Sequence, residues 1–148
     1  MTPVYDVDYH ASAIRHLRDA EYLHAGGFAP NAGQLYGFCV ECALKAVLVS
    51  CGVARDASGS VTQGSRFKVH MPKLVDQITA DVPFGPEGRL AAGYVAQFPE
   101  IADMDDWSID HRYFKEAALP VASIDRWRVV ATRVRGLLDT LKLDGGIE

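Results

Sequence analysis

The feature that most constrains the fold is a long apolar segment, residues 34–49, whose only charged members are Glu41 and Lys45. Its apolar side chains would cover nearly every face of a helix, which is typical of a helix at the centre of a domain. Pro30 suits the first turn, where its missing N–H is not needed, and the helix is expected to end near Gly52. Because the two charges interrupt the run and a bilayer requires ~20 apolar residues, the segment predicts a core helix and not a transmembrane one.

Other segments of the chain also have helical patterns, and none has strand-like alternation, a repeat or a heptad run. Asp6 or Asp8 can cap the first helix, Gly26-Gly27 can end it, and Ser123 can cap the last. The sequence therefore predicts an all-α, up-and-down helical bundle of four to five helices, with two long central helices packed antiparallel. Besides the central helix, the predicted helices cover residues 8–25, a short stretch after His70 with Pro72 in its first turn, residues 87–98, and a last helix from Pro120 to Gly145-Gly146.

The length of 148 residues fits a single domain, residues 1–148, with a core over about 8–142. Residues 54–69 are polar and rich in glycine and serine, and we expect a mobile loop there. The formal net charge is −4, which gives no global attraction to nucleic acid or to an anionic membrane. The first residues lack the basic start and apolar run of a signal peptide, so the expected location is the cytoplasm.

The three cysteines, Cys39, Cys42 and Cys51, all lie in or beside the apolar segment. Cys39-x-x-Cys42 has the spacing of a redox or zinc motif, but no second pair of cysteine or histidine residues follows to complete a tetrahedral site. We interpret the cysteines as small, reduced, buried side chains. No phosphate-binding glycine loop or metalloenzyme motif is present either, so neither a metal nor another cofactor is expected.

A narrow polar stripe runs along the central helix, because Gln34, Glu41 and Lys45 fall on one face at about 100° per residue. Glu41 and Lys45 are spaced i,i+4 with the acid first, the favoured order for a helical ion pair. Two interpretations are open. The favoured one is a partly exposed stripe from which Lys45 reaches water; the other is that a buried pair orders a polar pocket between helices.

Several polar residues downstream are candidates for the same pocket. His70 follows the loop and could meet an anion, although a hydrogen bond that anchors the loop is the favoured interpretation. Asp110, Arg112 and Tyr113 form a compact polar unit after an acidic run, and Arg112 could bind a carboxylate of that run, Glu41 or a phosphate.

The tryptophan and the last helix also have two interpretations each. Trp107 is expected in the core or at a dimer contact, in preference to a base-stacking position. The last helix carries an excess of basic residues, which the acidic residues 99–111 can neutralise within the chain or across a dimer. The less favoured interpretation is that Arg128 and Arg135, which are seven residues apart and share a face, follow a backbone of phosphates. These basic residues are Arg126, Arg128, Arg133, Arg135 and Lys142.

Three of these segments together resemble the HEPN domain family. Residues 32–48, with Glu41 and Lys45 in a Glu-x-x-Leu-Lys-Ala-x-Leu pattern, are similar to the central helix of that family. Residues 69–74, which begin Val-His-Met-Pro, are similar to its step after the variable loop, and Trp107 with Arg112-Tyr113 is similar to the Trp…Arg-Tyr seen before its last helix. The resemblance spans about residues 8–142.

The resemblance implies a helical bundle that usually dimerises and acts near nucleotides or RNA. One branch of the family contains metal-independent ribonucleases, often toxins, with an Arg-x4–6-His motif near the last helix. The other contains non-catalytic members that bind nucleotides or partner a small nucleotidyltransferase. Here no histidine follows His111, so the ribonuclease motif is missing from the last helix.

The predicted function is therefore a non-catalytic HEPN-like binding module associated with nucleotides or RNA. It would act as a homodimer, or beside a nucleotidyltransferase or an antitoxin protein, without a membrane. No catalytic residue is predicted, and the candidate ligand pocket consists of Gln34, Glu41, Lys45, His70, Asp110, Arg112 and Tyr113. Two alternatives remain: a purely structural subunit of a larger assembly, or a ribonuclease toxin with displaced residues, drawn from Arg18, Arg112, His24, His70 and His111.

Overall fold

The computed structural model describes residues 4–63, 65–80 and 85–143, and the regular elements in these ranges are helical, apart from one isolated bridge between Arg55 and Val61. The expected all-α fold class is therefore confirmed. Short 3-10 turns fill much of the connection before the last helix, at Pro99–Met104, Ile109–Tyr113, Glu116–Ala118 and Val121–Ser123. The α-helices are α1 (Tyr9–Ala25), α2 (Ala29–Ser50), α3 (Lys73–Thr79), α4 (Gly85–Val95) and α5 (Ile124–Leu143).

The first two helices form a tight antiparallel pair. Asp8 begins α1 by accepting a hydrogen bond from the backbone N–H of Ala11, as the sequence indicates. After α1 the chain reverses through Gly27, whose φ of +88° is a conformation that side chains other than glycine rarely adopt. Tyr9 at the start of α1 consequently lies beside Lys45 near the end of α2.

Helix α2 is the centre of the domain, because α1 packs on one side of it and α5 on another. The two glycines of α2 let side chains of other segments come close to its backbone. A Cβ on Gly33 would lie 3.1 Å from side-chain atoms of both Ile124 and Trp127, and a Cβ on Gly37 would lie 1.8 Å from Trp107. The glycines therefore make room for large side chains that fill the core.

The two longest helices, α2 and α5, run in the same direction. Gly33 near the start of α2 faces Trp127 near the start of α5, and Cys39 one and a half turns later faces Ala131. The antiparallel packing expected for two long central helices therefore holds for α1 with α2 but is wrong for α2 with α5. The long connection of α3, α4 and the 3-10 turns carries the chain back to the starting end before α5 begins.

The polar loop before α3 is tied to the rest of the domain. Asp56 accepts hydrogen bonds from the backbone N–H groups of Ser58 (2.9 Å) and Ser60 (3.1 Å), which closes a tight turn. The backbone N–H of Val61 donates to the Tyr9 hydroxyl at 2.9 Å, and the side chains of Val61 and Phe67 are buried in the core. The loop thus connects α2 to α3 while covering one end of α1.

Two details near the helix ends differ from expectation. Ser123 does not cap α5 with its side chain: it is buried, and its hydroxyl donates to the Asp106 carboxylate and accepts from Arg126 Nη2 at 2.7 Å. Helix α4 ends at Val95, earlier than residue 98, and the chain turns there into the first 3-10 segment. The expected end of the last helix at Gly145-Gly146 lies outside the described residues.

Helix α2 is long enough and apolar enough to cross a membrane, by length and composition alone. Its most apolar stretch of 18 residues is 72% buried inside the domain. The apolar surface of α2 is thus used in packing against α1 and α5, as expected of a core helix.

Candidate functional site

The centre of the candidate site is a buried ion pair on α2. Glu41 and Lys45 are each only 7% exposed, and the Lys45 ammonium lies 3.3 Å from Glu41 Oε2. The expectation of a partly exposed stripe with Lys45 reaching water is therefore wrong. The structure agrees with the alternative, in which the pair is buried between helices. Helix α1 covers this face of α2, and the centre of the Tyr9 ring lies 5.9 Å from Lys45 Nζ.

Two more donors form hydrogen bonds with the Glu41 carboxylate. His70 Nδ1 lies 3.0 Å from Oε1 and 3.2 Å from Oε2 of Glu41, and the backbone N–H of Met71 donates to Oε1 at 3.1 Å. Glu41 therefore accepts from three groups, which offsets the cost of burying its charge. These contacts tie the segment before α3 to the middle of the core helix, so the prediction that His70 anchors the loop is confirmed.

The carboxylate also fixes which nitrogen of His70 faces outward. Next to an ionised acceptor, Nδ1 carries the proton and donates, and Nε2 becomes the nitrogen available to a ligand. The side chain of His70 is 56% exposed, and no partner for Nε2 lies among the described residues. The imidazole of His70 is thus oriented by the buried Glu41 through Nδ1, and its Nε2 faces outward.

A second histidine, His16 on α1, has a shifted pKa, and the charge of Glu41 contributes to the shift. Burial is the main cause that lowers the pKa of His16, and the nearby Arg15 lowers it further. The charges of Asp19 and Glu41 act in the opposite direction. A neutral His16 is thus favoured, with its ring 5.6 Å from that of Phe38, so it packs as a core-facing aromatic side chain.

Gln34, the first residue of the predicted pocket, lies apart from the cluster. It is two turns before Glu41 on α2, which corresponds to about 10 Å along the helix axis. Its Nε2 donates to the backbone carbonyl of Ile109 at 3.2 Å. Gln34 therefore holds the 109–113 turn against the start of α2.

The remaining predicted residues, Asp110, Arg112 and Tyr113, lie on that exposed turn. The Arg112 guanidinium stacks 4.7 Å from the centre of the Tyr113 ring, and Tyr113 is 75% exposed. Arg112 forms no ion pair with Glu41 or with the acidic run among the described residues, so the two structural partners considered for it are wrong. The structure thus joins Glu41, Lys45 and His70 but not the whole predicted set.

A second polar network, which the sequence did not single out, connects α1, α2 and α5. The buried Tyr36 hydroxyl donates to Glu21 Oε1 at 2.8 Å, and His24 Nδ1 lies 2.8 Å from the same hydroxyl. Arg128 donates two hydrogen bonds of 2.7 Å to the Glu21 carboxylate, from Nε and Nη2. The only signal in the sequence was a tyrosine on an otherwise apolar helix, whose hydroxyl needs a partner when buried.

The charges of this network shift its pKa values. The hydrogen bond from Arg128 is the main cause that lowers the pKa of Glu21, and burial is the main cause that raises the pKa of Tyr36. Hydrogen bonding to Glu21 raises the pKa of Arg128. The ion pair with Arg128 therefore stays charged at neutral pH while Tyr36 stays protonated, so the network serves as a fixed connection between three helices.

Four basic residues of α5 form ion pairs within the chain, and the side chain of the fifth, Lys142, lies outside the described part. Arg126 lies 3.8 Å from Asp106 and Arg133 lies 3.2 Å from Glu100, so the predicted pairing with the acidic segment is confirmed for both. Arg128 is held by Glu21, and Arg135 lies 3.1 Å from Asp139 on α5 itself. With these four guanidinium groups occupied, the described side chains of α5 do not present a free row of cations to a phosphate backbone.

Trp107 and the cysteines behave as core residues. Trp107 is 1% exposed and donates from Nε1 to the Gly33 carbonyl at 3.1 Å, so the core interpretation is confirmed. The cysteines are free thiols, and burial raises the pKa of Cys39 to about 12 and that of Cys42 to about 11. Both thiols therefore stay protonated at neutral pH and are poor nucleophiles.

The histidines that a displaced ribonuclease site would use lie apart from one another, although His111 is next to Arg112 on the 109–113 turn. Arg18 lies 2.9 Å from Asp19, and it is six residues from His24, which places the two side chains about 120° apart around α1. His24 is bonded to Tyr36, while His111 stacks on the Trp127 ring with centroids 6.0 Å apart. These contacts give each imidazole a structural partner and bring none of them together.

No family model, no curated protein and no solved structure matches this chain. Among the described residues, no group of three or more histidine, cysteine, aspartate or glutamate side chains is placed to hold a metal ion. The features of this chain that point to a function are therefore the Glu41 cluster and the sequence motifs that contain it.

Proposed function

We propose that the chain is a non-catalytic HEPN-like module that binds the phosphates of a nucleotide or of RNA around His70. The resemblance of residues 32–48, 69–74 and 107–113 to that family motivates the class of ligand. In this proposal the module works in the cytoplasm, as a homodimer or beside a protein such as a small nucleotidyltransferase or an antitoxin.

The observation that carries the proposal is the buried Glu41 carboxylate that orients an exposed imidazole. With Nδ1 directed at Glu41, Nε2 is the ring nitrogen that faces a ligand, and in the doubly protonated ring it donates a charge-assisted hydrogen bond to an anion. The surrounding segment supplies the local basic patch that the net charge of −4 does not, because residues 65–75 contain Arg66, Lys68 and Lys73 and no acid. Lys68 and Lys73 are exposed.

The same geometry favours binding over catalysis. Cleavage of RNA without a metal requires a proton-transfer group and a cation that stabilises the reacting phosphate. Lys45, the cation of the cluster, is buried and committed to Glu41 at 3.3 Å, so it does not reach a ligand at the surface. The exposed lysines of residues 65–75 can help His70 to hold a phosphate, but among the described residues its side-chain partner is the buried Glu41 and not a second proton-transfer group at the surface.

The test is calorimetric titration of the protein with ATP, GTP and short single-stranded RNAs. We expect His70→Ala to weaken binding by about tenfold, the loss of one hydrogen bond to a charged group. Lys115→Ala, which removes an exposed cation from the segment before α5, is the matched control and should leave affinity within about twofold, as for an exposed charge far from the ligand.

Two results would contradict the proposal. If none of the three ligands binds the parent protein, nucleotide recognition is excluded. If the protein cleaves RNA in the presence of EDTA and His70→Ala abolishes the cleavage, the module is an enzyme and the non-catalytic assignment fails.

A further inference from the structure

A groove on the face of α3 is separate from the Glu41 cluster. One wall comes from α3 and the other from the chain after α4, and the space between them is about 420 Å³. Val95 and Ile101 form its buried floor, and Val75 and Phe98 line its sides. This volume is in the range of natural ligand-binding clefts, about 300–1,000 Å³, and the lining is mainly apolar.

Each wall of the groove carries one carboxylate, Asp76 on α3 and Asp105 on the opposite side. Both are exposed, and neither forms an ion pair among the described residues. The neighbouring Asp103 is also exposed and unpaired there, while Glu100 is occupied by Arg133. Lys73 is the one cation within residues 73–80 and 95–105, so the free charge around the groove is negative.

We propose that this groove docks a basic amphipathic helix of a partner protein. Apolar side chains spaced i,i+3/i+4 along one face of such a helix would fill the channel, and lysine or arginine residues beside them would meet Asp76 and Asp105. Charge complementarity selects this occupant, because opposite potentials steer and orient association while like charges oppose it. A second copy of this chain, with a net charge of −4, fits the acidic rim less well.

The side chains of Val75 and Phe98 are half-buried, so they leave part of the channel's apolar lining in contact with water, and a docked helix would cover it. The two carboxylates at its edges then determine the sign of the charge that the partner must carry, and they orient the partner helix in the groove. Since Pro72 lines the groove and the preceding Met71 N–H is bonded to Glu41, the docking surface adjoins the proposed phosphate site, but His70, Lys68 and Lys73 do not line the groove.

The proposal can be tested with two synthetic helical peptides that share one leucine face. One peptide carries lysines beside that face and the other carries glutamates, and fluorescence anisotropy measures their binding to the full chain. We expect only the lysine peptide to bind. The Asp76→Asn/Asp105→Asn variant should weaken its binding by up to about fivefold per charge, the upper range for exposed ion pairs.

Two further variants separate the groove from the general negative surface. Asp103→Asn removes an equally exposed carboxylate that does not line the groove, and it should change affinity by less than about twofold, the screening-limited effect of a distant charge. Ala96→Trp fills the channel from an exposed position, so it should abolish peptide binding while circular dichroism shows an unchanged helical fold.

The opposite results would overturn the proposal. These are equal binding of the glutamate peptide, no binding of either peptide, or an effect of Asp103→Asn as large as that of the double variant. Sedimentation of the protein alone provides a further check: self-association that Ala96→Trp removes would show that the groove accepts a second copy of this chain instead.

Discussion

Replacing Glu41 with glutamine tests whether the buried pair on α2 stabilises the fold as its geometry indicates. The amide keeps nearly the same shape but leaves the Lys45 ammonium, 7% exposed, without its counter-charge. Removing one partner of a buried ion pair costs about 3–5 kcal/mol. This is a large part of the ~5–15 kcal/mol that holds a typical domain together.

Thermal and urea denaturation, followed by far-UV circular dichroism, would measure the loss. In a domain of this size each kcal/mol corresponds to about 2–4 °C, so Glu41→Gln should lower Tm by about 6–20 °C. The matched control is Asp139→Asn, which breaks an exposed i,i+4 pair with Arg135 on α5 and should cost only about 0.3–0.5 kcal/mol.

A double variant separates charge from shape. Glu41→Leu/Lys45→Met removes both charges at similar volume and should recover about 2 kcal/mol or more of the loss. It leaves the Met71 N–H without its acceptor, so it should remain about 1–3 kcal/mol below the parent. If Glu41→Gln proves no more destabilising than Asp139→Asn, the Glu41–Lys45 pair behaves as a surface pair and does not stabilise the fold as a buried one.

Two further predictions concern packing and pH. Gly37→Ala should destabilise the protein by about 1–3 kcal/mol or more, since the added Cβ would lie 1.8 Å from Trp107, whereas Gly136→Ala, with nothing within 4 Å, should stabilise α5 by about 0.5–1 kcal/mol. Equal effects in urea denaturation would contradict this packing argument. Because Arg128 lowers the pKa of Glu21, the pair stabilises the fold fully above the ordinary carboxyl value of 4.5, and its contribution is lost as pH falls through the lowered pKa. Arg128→Met should therefore reduce the acid-side loss of stability measured from pH 6 downward, and an unchanged slope would show that the pair contributes nothing to it.

The positions of the helices could be read from local patterns along the chain. Asp8 at the start of α1, the glycines after it and Pro30 at the start of α2 each satisfy a requirement of neighbouring backbone atoms, so they place helix ends without knowledge of the rest of the fold. Ser123 shows where this reasoning stops. It has the residue type of a cap, but its hydroxyl is bonded to Asp106, a residue seventeen positions earlier.

The candidate site could be predicted only in part, for a related reason. Glu41 and Lys45 are one helical turn apart, so the sequence fixes their contact, but the choice between a surface pair and a buried one depends on what covers that face. The third member, His70, is 29 residues from Glu41 and meets it only because the loop folds back over α2. The sequence also predicts Arg112 in this site, but the 109–113 turn that carries Arg112 packs against Gln34 near the start of α2.

By itself, the sequence determined that this protein is all helical, that one apolar helix lies at its centre, and that an acid and a base are adjacent on that helix. Local hydrogen bonding and hydrophobic periodicity decide these properties, and both act within a few residues. Only the tertiary structure decided that α5 runs in the same direction as α2, that three helices share the Tyr36 network, and that the Glu41 carboxylate orients His70. These depend on how distant segments pack, because burial is set by the neighbours that a side chain acquires when the chain folds.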